Sequence, residues 1–281
     1  MSAHSSTTKS QPLTEHDMAG FRPRAAVLEA LETQRARLGV QPGEMTVVDW
    51  GCGRGELTLW LRRLGYRAFG IDVSPQWIEN GRALARKWGL PAERTLLNFE
   101  ESYRAPFAER SVDFISSDQV LEHVSELADF AGETWRVLKP AGEALHVYPA
   151  HLRVIEGHLM MPLVHWLPKT RVRRAAIRAC VALGIEPKDW QLDDQPAEVR
   201  ADRYYEYSCL NTFYRTPVQI EAAFQAAGFR VEFDVRRIRG VQSRPWAEAL
   251  FGYPGTAGLM SWALLRFGAI SLRCRKPATS C

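Results

Sequence analysis

Apolar residues recur at helical spacing from Phe21 to Leu38, through Val27, Leu28, Leu31 and Leu38, until the pair Pro42-Gly43 breaks the pattern. A short apolar run from Met45 to Trp50 then reads as a strand. From here the pattern alternates: strands are predicted at Arg67–Val73, Thr95–Phe99, Val112–Ser116 and Glu143–Tyr148, separated by helices at Glu56–Leu64, Pro75–Trp88 and Val120–Leu138. Such alternation is the mark of βα units wound into a mostly parallel sheet. Residues His151 to Tyr214 break the rhythm, being rich in His, Trp, Tyr and Arg and too long for an ordinary loop, and they are expected to form an inserted, partly helical cap. Thr216-Pro217 opens a further amphipathic helix to Ala227, Gly228 ends it, and strands are expected at Arg230–Ile238 and, after a second insertion, Ala269–Lys276. The expected organisation is a disordered tail over 1–20, a core over 21–150, a cap over 151–215 above an acceptor site, and completion of the core sheet by 216–281.

Composition narrows the function classes only a little. The 281 residues are 46% hydrophobic and 24% charged, and 36 basic against 32 acidic side chains leave a net charge of +4. That excess is too small for a dedicated nucleic-acid face, while an acidic small substrate or a membrane surface stays open. The best apolar run, Gly255 to Ile270, is interrupted by Arg266, and the first residues lack the apolar stretch of a secretory signal. Cys52, Cys180, Cys209, Cys274 and Cys281 are odd in number with no close pair, so reduced thiols in a cytoplasmic protein are expected.

The densest chemistry lies in Val47-Val48-Asp49-Trp50-Gly51-Cys52-Gly53-Arg54-Gly55-Glu56, a strand running into three alternating glycines and then a helix. Glycine serves where the backbone takes φ > 0 or where a ligand must approach it closely. Seventeen residues beyond Gly55 the next strand ends in Asp72, where an α/β nucleotide site presents a carboxylate to ribose hydroxyls. The spacing is GxGxG, whereas a dinucleotide turn is GxGxxG, with its third glycine at the position of Glu56. An adenosine bearing an amino acid needs no pyrophosphate cradle, and an NAD-dependent oxidoreductase is the disfavoured alternative.

These residues resemble the class I S-adenosylmethionine-dependent methyltransferases of the small-molecule type that includes ubiquinone and menaquinone biosynthesis enzymes. The resemblance rests on Asp49 to Gly55, on Gly70-Ile71-Asp72-Val73-Ser74, on Ser111 to Ile115, on Gln119-Val120-Leu121-Glu122-His123-Val124, and on Val137-Leu138-Lys139-Pro140-Ala141-Gly142. It implies an α/β, Rossmann-like, doubly wound seven-stranded sheet with an antiparallel last strand, and S-adenosylmethionine as cofactor. It further implies that Gly51 and Gly53, with Cys52 between them, bring the turn to the methionine moiety, that Asp49 orients the turn and the ligand's amino group, and that Asp72 takes both ribose hydroxyls. Val73 would flank the adenine, Asn98 and Phe99 would meet its edge, and Ser117 would lie by the sulfonium. Asn98 departs from the usual Asp, although its amide oxygen can still accept a hydrogen bond.

Methyl transfer from a sulfonium needs chiefly a nucleophile held in line and relieved of its proton. His123 is the implied catalytic residue, facing the cofactor's sulfur. Some quinone-pathway members hold a divalent metal with a carboxylate-x-x-Glu-His pattern; here Gln119 stands where the first carboxylate would be, and no metal is expected. His151, His158, His165, Tyr204 and Tyr205 of the cap are expected to line the acceptor site, a satellite hydrophobic core being the competing account. Lys169, Arg171, Arg173, Arg174 and Arg178 follow the Trp166-bearing apolar stretch, a pattern that suits a packed helix face or a contact with a membrane surface. The expected activity is methylation, at oxygen, of a small or medium-sized acceptor without nucleic acid, with a catalytically silent methyltransferase-like subunit as the rival of another class.

Overall fold

A computed structural model of the chain describes residues 11–99, 104–190, 192–233, 259, 262, 263 and 265–278. The apolar run before the glycines becomes strand β1 (Thr46–Trp50), buried at every position, as a central parallel strand covered on both faces must be. With β2 (Arg67–Asp72), β3 (Leu96–Asn98), β4 (Val112–Asp118), β5 (Leu138–Pro149), β6 (Arg230–Phe233) and β7 (Ala269–Arg275) it forms one sheet in the order β3-β2-β1-β4-β5-β7-β6. Pairings among β1 to β5 are parallel, and β7 runs antiparallel to both β5 and β6. The expected doubly wound, seven-stranded sheet is therefore present. The part of the expected strand beyond Phe233, most of the second insertion and Cys281 fall outside the described residues.

Period-2 alternation sorts the side chains between two helical layers. Val47 and Phe114 pack with Leu31 of helix α2 (Ala25–Leu38) and Leu61 of α3 (Glu56–Arg63). Val48, Trp50 and Ile115 pack on the other face with Phe130 of α6 (Leu127–Val137) and Phe224 of α9 (Pro217–Ala226). Because β1 has β2 on one side and β4 on the other, the chain reverses its winding between β1 and β4, which opens a crevice at the carboxyl ends of these strands.

Two expectations need correction. The tail is not disordered throughout 1–20: Glu15–Gly20 form helix α1, started by a capping box between Thr14 and Asp17, and Leu13 and Met18 are buried against Leu59, Leu84 and Ala85. The cap signal was local, but its stabilisation comes from α3 and α4 (Pro75–Lys87), after which the one-turn helix α5 (Ala92–Thr95) leads into β3. The segment expected as one helix over Val120–Leu138 is instead a 3₁₀ turn, Leu121–His123, followed by α6.

The cap has its own core, with Leu159, Val164, Ile177, Val181 and Trp190 packed between α7 (Arg171–Ala182) and α8 (Ala197–Leu210). Most of its cations are engaged within it. Arg173 is buried and donates to the carbonyls of Leu167, His165 and Ser208. Lys169 donates to Cys209 and Thr212, while Arg174 and Arg178 pair with Asp202. Among the described residues no helix is long and apolar enough to cross a membrane, and the described cysteines Cys52, Cys180, Cys209 and Cys274 are free thiols.

Candidate active site

The glycine turn is shaped by hydrogen bonds to the end of β2. Gly51 and Cys52 both donate to the Ile71 carbonyl, at 2.8 and 3.0 Å, and Gly53 donates to Asp72 Oδ2 at 2.8 Å while Ser74 donates to Oδ1 at 2.9 Å. Gly51 at φ 76° and Gly53 at φ 58° take the left-handed backbone that side chains disfavour. Asn98 Nδ2 donates to the Asp72 carbonyl at 2.9 Å, and the Phe99 ring meets Trp50 edge-on at 6.0 Å. Val73 is 47% exposed beside them. Asp49, Gly51, Cys52, Gly53, Asp72, Val73, Asn98 and Phe99 are thus gathered at the ends of the first three strands of the half-sheet.

Asp49 is buried with Thr58 Oγ1 at 3.4 Å. Burial, reinforced by the charges of Asp118, Glu56 and Asp72, pushes its carboxyl up to about 8. An acid whose folded pKa is raised binds more protons folded than unfolded, so its contribution to stability falls as pH rises from about 4 to about 8. Asp49→Asn is therefore expected to be more stable than wild type at pH 8 in the absence of ligand, by on the order of a few kcal/mol, with the difference vanishing near pH 4. Thermal melts of both proteins across that range check this; parallel pH profiles would remove Asp49 as the cause.

Ser117 does not point where it was expected. Its residue is fully buried and its hydroxyl shares a 2.7 Å hydrogen bond with His146 Nδ1, inside the core beside Phe130 and Phe224. Strand alternation turns it away from the crevice. Burial also pushes His146 down to about 3, so this imidazole is neutral.

The second half of the site sits directly on the first. A Cβ at Gly51 would lie 2.3 Å from Val120 Cγ2, so the 3₁₀ turn carrying Glu122 and His123 packs against the glycine turn. His123 lies in this turn and not at the start of a helix. Its Nδ1 is 2.7 Å from the Asn211 carbonyl, and its Nε2 is 3.1 Å from Nε2 of His158. Nδ1 of His158 in turn lies 2.9 Å from Glu156 Oε1. Glu156 is 2% exposed and also accepts from the Tyr214 hydroxyl at 2.5 Å and from the backbone N–H groups of His158 and Leu159. Burial alone would raise Glu156, yet the hydrogen bonds from His158, Tyr214 and Leu159 hold it at about 2. Burial opposes the charged form of His158, and Glu156 outweighs it, so this imidazole is raised above its ordinary value. Glu122, also 2% exposed, has no hydrogen-bond partner for its carboxylate among the described residues, and burial pushes it up to about 8.

The remaining cap residues divide. His165 is buried against Tyr214 and Trp166, and burial takes it down to about 4. His151 is half-buried just beyond β5, its basicity lowered by burial and by Arg266. Tyr204 and Tyr205 do not line the site. Tyr204 is enclosed in the cap's own core, stacked edge-on with Trp190 and bonded to Glu186, while Tyr205 faces outward, bonded to the Lys169 carbonyl beneath Arg174. Neighbours on a helix diverge by about 100°, so two adjacent tyrosines could not share one pocket. Glu156 and Tyr214 join the cluster without having been singled out, and Glu122 does so from the Gln119–Val124 motif, where no acceptor-side role had been read for it; the local sign for the others was a lone acid, Glu156, two residues before His158 in an apolar stretch.

The methyltransferase domain family matches residues 48–145. The chain is 35% identical over 109 residues to a ubiquinone biosynthesis O-methyltransferase of Methylobacterium sp. (strain 4-46), covering 38% of this chain and 43% of that one. It is 34% identical over 150 residues to an uncharacterized methyltransferase of Mycobacterium sp. (strain JLS), covering 53% and 54%. The matches span about half or less of these curated relatives. Among solved structures, an S-adenosylmethionine-dependent methyltransferase from Mesorhizobium loti superposes with a TM-score of 0.50 at 16% identity, over 87% of this chain and 96% of that one. The [4+2]-cyclase SpnF superposes at 0.51 with 17% identity, over 89% and 81%, so the fold alone does not decide the reaction. Strand order, glycine turn and family match agree, and over residues 48–145 the chain is similar to S-adenosylmethionine-dependent methyltransferases, a ubiquinone biosynthesis O-methyltransferase among them.

Proposed function

We propose that the protein transfers the methyl group of S-adenosylmethionine to a hydroxyl oxygen of a small or medium-sized acceptor lodged between the glycine turn and the cap. The observation that carries this reading is the contact of Val120 with Gly51, which sets the histidine–carboxylate cluster beside the cofactor turn. In this reading Asp72 meets the ribose hydroxyls, Asp49 the ammonium, and Asn98 and Phe99 the adenine. The acceptor oxygen attacks the methyl carbon, the carbon–sulfur bond breaks, S-adenosylhomocysteine leaves, and the hydroxyl proton passes to the cluster around His123. Oxygen is favoured because relatives named as O-methyltransferases match the same segment. Free thiols throughout the described residues suit a reducing compartment such as the cytoplasm.

The test is to offer the protein methyl-labelled S-adenosylmethionine with matched phenol, aniline and thiophenol acceptors. Label on oxygen is expected, and His123→Ala should lower kcat by ~10²-fold or more while leaving S-adenosylhomocysteine affinity nearly unchanged. Transfer only to nitrogen or sulfur overturns the oxygen reading. Failure to bind S-adenosylhomocysteine in calorimetry overturns the methyltransferase reading itself.

A further inference from the structure

Nδ1 of His123 lies against a backbone carbonyl and Nδ1 of His158 against a carboxylate, both of which only accept, so each ring carries a hydrogen on Nδ1 and turns its Nε2 toward the other. Two bare Nε2 lone pairs at 3.1 Å would repel, so a further proton belongs on one of them. Glu156 decides which. Behind His158 its buried carboxylate accepts from the ring, from the Tyr214 hydroxyl and from the backbone N–H groups of His158 and Leu159. A carboxylate held by four donors stays ionised and favours the charged form of the imidazole against it. His158 is therefore the doubly protonated ring, and its Nε2–H donates to His123. Both rings remain partly accessible, whereas Glu156 is enclosed behind them.

We propose that the two Nε2 atoms form one seat for the acceptor oxygen: His123 takes its proton, His158 donates a hydrogen bond to it, and Glu156 is the positioning residue behind His158. An oxygen ~2.8 Å from both nitrogens fits astride a pair 3.1 Å apart and displaces only the bond between them. The core supplies one half of the seat and the cap the other. As the carbon–oxygen bond forms and the carbon–sulfur bond breaks, the hydroxyl proton moves to His123 Nε2 and later leaves to solvent. His158 keeps both its hydrogens and stabilises the negative charge that builds on the oxygen while the proton departs. Glu156 and Glu122 favour the charged form of His158, Arg153 and burial oppose it, and His123, the Tyr207 ring and the Glu156-bound Tyr214 hydroxyl complete its surroundings. For its catalytic meaning the inference rests on the methyltransferase reading. The preference of the seat for an oxyanion does not.

The experiment uses full-length, chelator-treated protein, with and without S-adenosylhomocysteine, and 4-nitrophenol as the probe because its anion absorbs visible light. The bound probe is expected to be ~10-fold more ionised than the free probe at the same pH. Glu156→Gln leaves an acceptor on Nδ1 but removes the charge, and His158→Gln keeps a neutral donor near the oxygen. Both should lose the enrichment, and Glu156→Asp should restore most of it. In turnover of a phenol, Glu156→Gln should lower kcat at least ~10-fold with little change in KM. The alkaline limb of its pH profile should move to lower pH, because His158 loses the neighbour that raises it. Melts and S-adenosylhomocysteine affinity establish that the variants fold. Failure of the probe to bind, a bound probe no more ionised than the free one, or enrichment undiminished in folded Glu156→Gln and His158→Gln overturns the proposal. Probe enrichment without methyl transfer to oxygen defeats the functional reading alone, and transfer to oxygen without enrichment defeats the seat alone.

Discussion

Asp72→Ala is expected to lower affinity for S-adenosylmethionine and S-adenosylhomocysteine by about 100-fold or more. At the end of β2 the carboxylate is buried and accepts from the backbone of Gly53 at Oδ2 and of Ser74 at Oδ1. A carboxylate oxygen can accept more than one hydrogen bond, so the ribose hydroxyls can bond to the same group. Hydrogen bonds to a charged acceptor contribute ~1.5–3 kcal/mol each, so losing two of them costs at least ~3 kcal/mol, which is about two orders of magnitude in the dissociation constant. The same carboxylate also holds the Gly53 amide and with it the shape of the turn, so the loss has a positional component besides the direct one. Calorimetry of both ligands, with melts to confirm folding, measures the effect. An affinity within about threefold of wild type would remove Asp72 from the cofactor site. Asp72→Asn, which keeps an acceptor but drops the charge, should fall between the two.

Gly81→Ala is expected to lower both stability and cofactor affinity, against the direction that helix propensity alone demands. Gly81 sits inside α4, where alanine is favoured over glycine by ~1 kcal/mol. A Cβ there, however, would lie 1.9 Å from the Arg54 carbonyl oxygen and 2.8 Å from the Arg54 carbonyl carbon. These are backbone atoms of the glycine turn and cannot rotate aside. Either α4 or the turn must shift, at a net cost of ~1–3 kcal/mol, which for a chain of this length lowers the melting temperature by roughly 2–10 °C. Since the displaced atoms adjoin Gly53, ligand affinity should fall at least tenfold. A melting temperature at or above wild type would mean that α4 packs less closely on the turn than this geometry requires.

The part of the molecule legible in the sequence is the part built from neighbours along the chain. Strand, glycine turn, helix, strand and terminal Asp72 occupy 47–72, and each step has a local cause: apolar alternation, a left-handed turn that needs glycine, a carboxylate at a strand end. The alternation of elements likewise implied a parallel sheet, because parallel strands need crossover helices. Even the capping box of α1 was written locally in Thr14 and Asp17, although burial of Met18 against α3 and α4 is what makes so short a helix worth forming.

The tertiary structure alone decided which polar groups meet. Ser117 and His146 belong to adjacent strands, and the register between β4 and β5 turned that serine into the core. Tyr204 and Tyr205 differ by one position in α8, and only the packing of α7 determined that the first is enclosed and the second partly buried at the edge of the cap core. The cluster at the acceptor side draws on Glu122 and His123 after β4 and on Glu156, His158 and Tyr214 from the cap, segments separated by up to 92 positions between Glu122 and Tyr214. Periodicity reports which face of an element is apolar; it carries no information about which distant element covers that face. The sequence by itself determined the mostly parallel sheet and the turn, since these follow from local backbone preferences and burial patterns, and the resemblance of its motifs to a known family implied the cofactor class. The meeting of two imidazoles and two buried carboxylates across the cap boundary follows from long-range packing, and only the folded chain shows it.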